Sequence, residues 1–371
     1  LNGFLIIIFL LILIPVFIST MFIPFWTRKT ESFGVTIPEE IYQSVELKQM
    51  RKRYMRITGI SGFIVTAIFL SIGASITLDE NMFSLLFSVL IFGYLISSFI
   101  IYLTFHREMK SLKKRKQWGI EKSQQVFVST QFRSQKLNHS NLWFLISFIA
   151  TIGLIVLTLQ SYHQIPDRIP LQYNFAGEVT NWAEKSYRSV LILPIMQLYL
   201  TLLFVFINTM IAKAKQQINA DTPEESMRKN VIFRRRWSAY IIITGIALTL
   251  LFSLIQLSLI YPINQQLLII IPLAFSIALT LGAIILSGTT GQGGSRIKNN
   301  SNASTDGAIM NRDDDAHWKL GIFYFNREDP SLFLEKRFGV GWTINLARPL
   351  AWIIFLGIIG LAVIIPYLLG A

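Results

Sequence analysis

Apolar residues come in eight runs of roughly twenty, and the charged residues are confined to the stretches between them. A hydrocarbon core about 30 Å thick takes about 20 residues of helix to cross, so each run is long enough for a transmembrane helix. The expected spans are residues 3 to 25, 57 to 77, 83 to 105, 142 to 160, 189 to 211, 238 to 261, 267 to 287 and 349 to 369. The fold class this predicts is an all-α integral membrane bundle of about eight transmembrane helices. The first run lacks a basic leading region and a small-residue cleavage pattern. It continues to Phe25-Trp26 and Arg28-Lys29, so it reads as a retained span with an aromatic and basic interfacial end.

The polar stretches differ in texture. Residues 1–141 hold three spans and two basic segments, the first with Glu46 to Arg56 as a short helix running into span two. Residues 142–287 hold four spans and one substantial loop, 161–188. Residues 288–371 open with a Gly, Ser, Asn and Thr-rich linker, Gly288 to Met310, expected to be disordered. An aromatic module, 311–348, and the last span follow. In it, Gly321 to Phe325 and Ser331 to Leu334 flank the polar turn Asn326 to Pro330, which predicts a β-hairpin between those two runs. Its aromatic residues are too many to expose and its length too short for a core of its own, so the module is expected to lie on the membrane surface.

Charge then sets the orientation. Of the 34 Lys and Arg, 31 fall in loops on one set of alternate sides and 3 on the other, and retention of basic residues on the cytoplasmic side places both termini outside. Loop 161–188 is then extracellular and the module cytoplasmic. The net charge of +13 is explained by this loop asymmetry. Lys113 to Lys116 and Arg234 to Arg236 sit beside spans and read as anchors on anionic lipid, so the bilayer is the expected partner and nucleic acid is not.

The candidate chemistry is thin. No Asp, Glu, Lys, Arg or His falls within a span, which disfavours a pump built on a buried carboxylate. Gln197, Asn208, Gln256 and Tyr94 read as interhelical hydrogen-bonding groups, and Gly59, Gly62, Gly73, Gly357 and Gly360 as close helix contacts. With no cysteine, four scattered histidines and no His-Glu-x-x-His or Gly-x-Ser-x-Gly motif, neither a metal site nor a hydrolase is expected, and no cofactor. Gly288 to Ser295 has the glycines of a phosphate loop but Gly294 where the lysine belongs. Asp313 to Asp315 reads as a solvated acidic turn.

Loop 161–188 is the best candidate site. Two Ile-Pro pairs, Ile165-Pro166 and Ile169-Pro170, force extended or turning backbone; Leu171, Tyr173 and Phe175 alternate as a strand does, and Ala176-Gly177 supplies a turn. Its Asp167, Glu178, Glu184, Arg168, Lys185 and Arg188 fit either a peptide or ion site or local salt bridges and caps.

The pattern Ile169-Pro170-x-x-Tyr173-Asn174-x-x-Gly177-Glu178, followed by Trp182 and Lys185, resembles the outer-loop signature of bacterial membrane proteins related to SdpI-type toxin-immunity proteins. The resemblance covers about 25 residues. It implies a bacterial cytoplasmic-membrane protein and assigns ligand contact to Ile169, Pro170, Tyr173, Asn174, Gly177, Glu178 and Lys185. Two positions depart from that pattern, Gln172 replacing a common His and Thr180 a frequent Asp. Trp318 to Pro349 similarly resembles a small cytoplasmic module of unknown function. Its Lys336-Arg337 pair is expected to meet lipid phosphate or another anion.

The function expected is non-enzymatic: an immunity-type protein that binds or excludes an extracellular peptide toxin and signals inward to a cytoplasmic regulator or partner membrane subunit. The alternative is a transporter or permease-like subunit with its pathway among spans four to seven and the outer loop as gate.

Overall fold

The computed structural model describes residues 3–75, 80–118, 123–125, 135–173, 179–298, 309–311 and 313–369. Among them, eight helices are long and apolar enough to cross a membrane: α1 (Gly3–Trp26), α2 (Val45–Ser75), α3 (Glu80–Lys116), α4 (Leu145–Gln160), α5 (Ile192–Lys213), α6 (Pro223–Leu257), α7 (Gln265–Thr290) and α8 (Pro349–Leu369). Each covers most or all of one of the expected spans, which makes the chain a multi-pass membrane protein. Residues 46–56 do run into span two within α2. Helix α3 also continues past its apolar stretch, ending on Lys113 to Lys116, where four positive charges complement the negative end of the helix dipole.

The chain divides into two compact units, one of 1–137, 214–234 and 283–348 and the other of 138–213, 235–282 and 349–371. In the first, Gly59 and Gly62 of α2 receive Met21 and Phe17 of α1. An aromatic core of Phe33, Tyr54, Tyr102 and Phe105 is closed by Phe338 from the module. Four short strands form two hairpins around glycine turns, β1 (Glu31–Ser32) with β2 (Val35–Thr36), and β7 (Trp318–Lys319) with β8 (Phe323–Tyr324). Phe33-Gly34 and Leu320-Gly321 all have positive φ, as tight hairpin turns matching strand twist require. The two tips meet: a side chain on Gly34 would place its Cβ 2.5 Å from the Gly321 carbonyl oxygen.

The module's strand pairing differs from the expected hairpin. Runs 321–325 and 331–334 do not pair with each other. Strand β9 (Phe333–Glu335) pairs forward with β10 (Trp342–Ile344), while Tyr324 forms a parallel bridge to Asn345. The reason is Asn345, whose amide donates to the carbonyls of Asn326 (2.8 Å) and Asp329 (3.2 Å) and so holds the polar turn as a loop against β10. Nor do most of its aromatic rings face outward. Trp318 and Tyr324 bury against Leu334, and Trp342 packs on Phe233, leaving Phe323 and Phe325 exposed. Part of the expected linker is also ordered: residues 288–290 finish α7, and 291–298 form a turn in which Gly294 lies against the Lys229 carbonyl of α6. Residues 299–308 lie outside the described residues. Strand β3 (Ser123–Gln125) pairs in parallel with β6 (Ile309–Asn311).

In the second unit, the polar groups at depth find partners between helices. Asn208 donates to the His139 carbonyl (3.0 Å) and to Asn141 Oδ1 (2.7 Å), and accepts from Ser238 (2.6 Å). Gln197 donates to Ser253 at 3.4 Å, and Tyr199 to the Ile358 carbonyl of α8 at 2.8 Å. Gly357, expected at a close helix contact, has nothing within 4 Å of a built Cβ.

Candidate functional site

Two polar assemblies stand out, one in each unit. In the second unit, α4 ends at Gln160 and the chain turns through Ile165-Pro166 into β4 (Arg168–Tyr173), antiparallel to β5 (Val179–Glu184). The register breaks between Pro170 and Tyr173, as at a β-bulge. Its buried side is small and firm. Ile165, Ile169 and Val190 cluster with Leu191, Leu259 and Ile260. Gln256 of α6, itself fully buried, donates to the Val190 carbonyl (2.9 Å) and to Thr158 (3.2 Å). Ser186 caps the one-turn helix Tyr187–Val190 through a reciprocal bond with Ser189. Elsewhere on the loop Tyr173, Trp182 and Tyr187 are exposed by 47%, 49% and 61%.

Of the residues assigned by sequence, Ile169 belongs to the buried cluster and Pro170 lies opposite Trp182, while Tyr173 is exposed. Lys185 folds back on the loop's own entry. Its ammonium donates to the Ile165 carbonyl (2.6 Å), lies 4.9 Å from the Tyr162 ring centroid and 3.8 Å from Asp167, whose carboxylate is fully exposed. Its place is therefore to close the loop. Asn174, Gly177 and Glu178 lie outside the described residues.

In the first unit, a carboxylate with no solvent exposure, Glu335 of β9, sits between two arginines. Arg28, just past α1, and Arg234 of α6 (3.0 Å) both donate to it, joined by Asn230 (2.8 Å) and Gln292 (3.4 Å). Gly293 leaves room for Arg28, since a Cβ there would lie 2.7 Å from the guanidinium. Gln292 also pairs with both backbone groups of Gly341, fixing the end of the module. Burial lowers the Arg28 pKa, opposed by nearby Glu31. Glu31 is itself buried, its pKa raised by desolvation against the pull of Arg28 and Arg337.

A second centre forms around Arg337. The side chain is buried and donates to Asp314, Asp315 and Thr36; burial lowers its pKa to about 10, against the opposing charges of Glu31 and Asp313. Lys113 of α3 bridges Asp313 (2.6 Å) and Asp315 (2.7 Å). Asp329 accepts from Lys215 (2.6 Å) and Tyr324 (2.8 Å). Desolvation pushes its pKa up, but these bonds and that from Ser331 prevail and hold it at about 2.

These placements revise several sequence readings. Asp313 to Asp315 is an ion-paired element, not a free solvated turn. Arg337 spends its donors inside the protein, whereas Lys336 is exposed. Arg234 and Lys113, read as lipid anchors, belong to the internal network. Glu335 carried no signal in the sequence beyond being an acid in an apolar strand, a position where burial without a partner is costly. Among the described residues no group of three or more His, Cys, Asp or Glu is arranged to hold a metal.

Comparison with known families locates both assemblies. Residues 148–198, which contain β4 and β5, match a domain of unknown function (DUF1648), and residues 327–352, which contain Asp329, Glu335 and Arg337, match a family of unknown function (DUF5808). Both are uncharacterised and occur commonly in membrane proteins. No curated protein and no solved structure matches the chain.

Proposed function

We propose that this is a non-enzymatic bacterial cytoplasmic-membrane protein of the toxin-immunity type, whose hairpin 168–184 binds or excludes an extracellular peptide. The observation that carries the reading is that a buried cluster of Ile165, Ile169 and Val190 fixes the hairpin while its Tyr173 and Trp182 stand exposed. Aromatic anchors on a rigid support are what peptide recognition uses, because they bury large areas at small conformational cost. The sheet has two strands, so its outer edges are unpaired among the described residues and offer an added strand a backbone ladder. The loop's three basic residues, against 31 elsewhere, support the extracellular side. The engagement of Asn208 by His139, Asn141 and Ser238, and of the Gln256 amide by Thr158 and Val190, favours binding over transport. On the cytoplasmic side, the ion-paired module would present its exposed face, with Lys336, Phe323 and Phe325, to lipid or to a regulatory partner.

The test is complementation of a deletion strain challenged with peptides secreted by producing cells. Trp182→Ala and Tyr173→Ala are expected to reach the membrane at normal levels and to lower the protective threshold about tenfold, the value of one or two interfacial aromatic anchors. Full protection by both variants, at equal protein levels, would remove the hairpin from the site.

A further inference from the structure

We propose that a cleft of about 590 Å³ in the first unit binds an anion carrying two or more phosphate charges. Four separate segments supply its wall: Lys29 after α1, Lys48, Arg51 and Lys52 on α2, Lys229 on α6, and Arg296 and Lys298 after α7. Every charged side chain lining it is basic. Lys29 and Lys229 have carboxylate neighbours in Glu39 (3.7 Å) and Glu225, but Lys48, Lys52, Arg296 and Lys298 have no ion pair among the described residues. Like charges gathered around one concavity repel one another, and a multivalent anion relieves that repulsion at several contacts together.

Arg51 supplies the observation that distinguishes a built site from a basic surface. Its side chain is 97% buried by position in the fold, with only 3% of the residue exposed. One guanidinium nitrogen, Nη2, donates to the Tyr42 carbonyl at 2.8 Å, and the group lies 4.0 Å from the Tyr42 ring centroid. The other, Nη1, is buried without a hydrogen-bond partner among the described residues. A buried charged donor left unmet is destabilising, and Arg51 is among the residues that line the cleft. An arginine fixed by its neighbours with one nitrogen still unpartnered is suited to phosphate oxygens, with the lysines acting as point charges around it. Thr27, Gln43 and Ser295 add neutral hydrogen-bonding groups.

The volume falls within the range of about 300–1,000 Å³ usual for small-molecule sites, larger than one phosphate group needs. Phe25, one residue before the end of α1, adds an apolar wall next to the apolar run. Phosphate of this valence comes from two sources, a lipid headgroup with two phosphates or a soluble polyphosphorylated compound. The shared chemistry is the site's; the source is for experiment.

The full chain, purified in an uncharged detergent, would be titrated with inorganic pyrophosphate in one arm and with mixed micelles of a two-phosphate lipid in the other, phosphatidylcholine micelles being the blank. Saturable binding is expected in at least one arm, weakened about tenfold or more by Arg51→Gln, the loss expected when a charge-assisted hydrogen bond is removed. Because Arg51 is buried, the surface double variant Arg296→Gln with Lys298→Gln gives an independent reading and should weaken binding similarly. Lys110→Gln with Lys114→Gln removes as much charge outside the cleft and should change nothing. A response to pyrophosphate assigns a soluble ligand, and a response confined to the lipid arm assigns a headgroup. No saturable binding in either arm, or equal losses in the control variant, overturns the site.

Discussion

Glu335→Gln is the sharpest test of the internal ion network. The substitution keeps the shape of the side chain and removes the one negative charge that Arg28 and Arg234 both contact; their side chains are 11% and 0% exposed. At the 3.0 Å separation of Arg234 and Glu335, with an effective dielectric constant of about 20, the pair interaction is about 5 kcal/mol. Gln retains one acceptor oxygen, and Glu31 still acts on Arg28, so part of this survives. Removing one partner of a buried pair typically costs about 3–5 kcal/mol, and about 3 kcal/mol is expected here. Denaturant unfolding of the purified protein in mild detergent, followed by tryptophan fluorescence, would measure it, since Trp342 packs against Phe233 one residue from Arg234. Adding Arg234→Met should recover at least half of the loss, because the second substitution removes the stranded charge. A single variant within about 1 kcal/mol of wild type, or a double variant whose loss equals the sum of the singles, would refute the account.

Two further outcomes are expected. Asp329 has a folded pKa of about 2, below its unfolded value of about 3.9, so its contribution of about 2 kcal/mol is present above pH 4 and disappears as pH falls toward 2. Asp329→Asn should lower stability at pH 7 and flatten the acid limb of a stability profile; an unchanged limb would count against the Lys215 and Tyr324 bonds as its cause. The chain has no cysteine, so single cysteines at Gln172 and Arg228 report sidedness directly. An impermeant thiol reagent on intact cells should label the first and not the second, and the reverse pattern would invert the orientation.

The helices were legible because bilayer thickness imposes a length that any apolar run either meets or fails. The first strand of the hairpin was legible for a local reason as well, since Pro166 and Pro170 forbid helix and Leu171 and Tyr173 alternate, whereas its partner, Val179–Glu184, carried no such pattern. What escaped the sequence was nonlocal. Glu335 and Arg28 belong to one cluster through no periodicity, and Arg234 in a run of three arginines looks like its exposed neighbours although it alone of the three is fully buried. The module misled in the same way. Turn residues at 326–330 marked a real turn, but the partner of each strand was decided by Asn345 and by the glycines near β10. An acidic triplet, Asp313 to Asp315, reads as solvated until Lys113 and Arg337 are brought to it from afar.

The span between Arg28 and Glu335, 307 residues, has a consequence for how the protein is made. At a synthesis rate of about 5–20 residues per second, the first arginine is in place roughly 15–60 s before its carboxylate leaves the ribosome. Arg234 waits for the same residue. Over the last 101 residues of that interval, about 5–20 s, the growing chain holds two basic groups at positions that demand an anion. A copy cut short before Glu335 would therefore carry two arginines with no carboxylate between them, and the seam closes only when β9 docks.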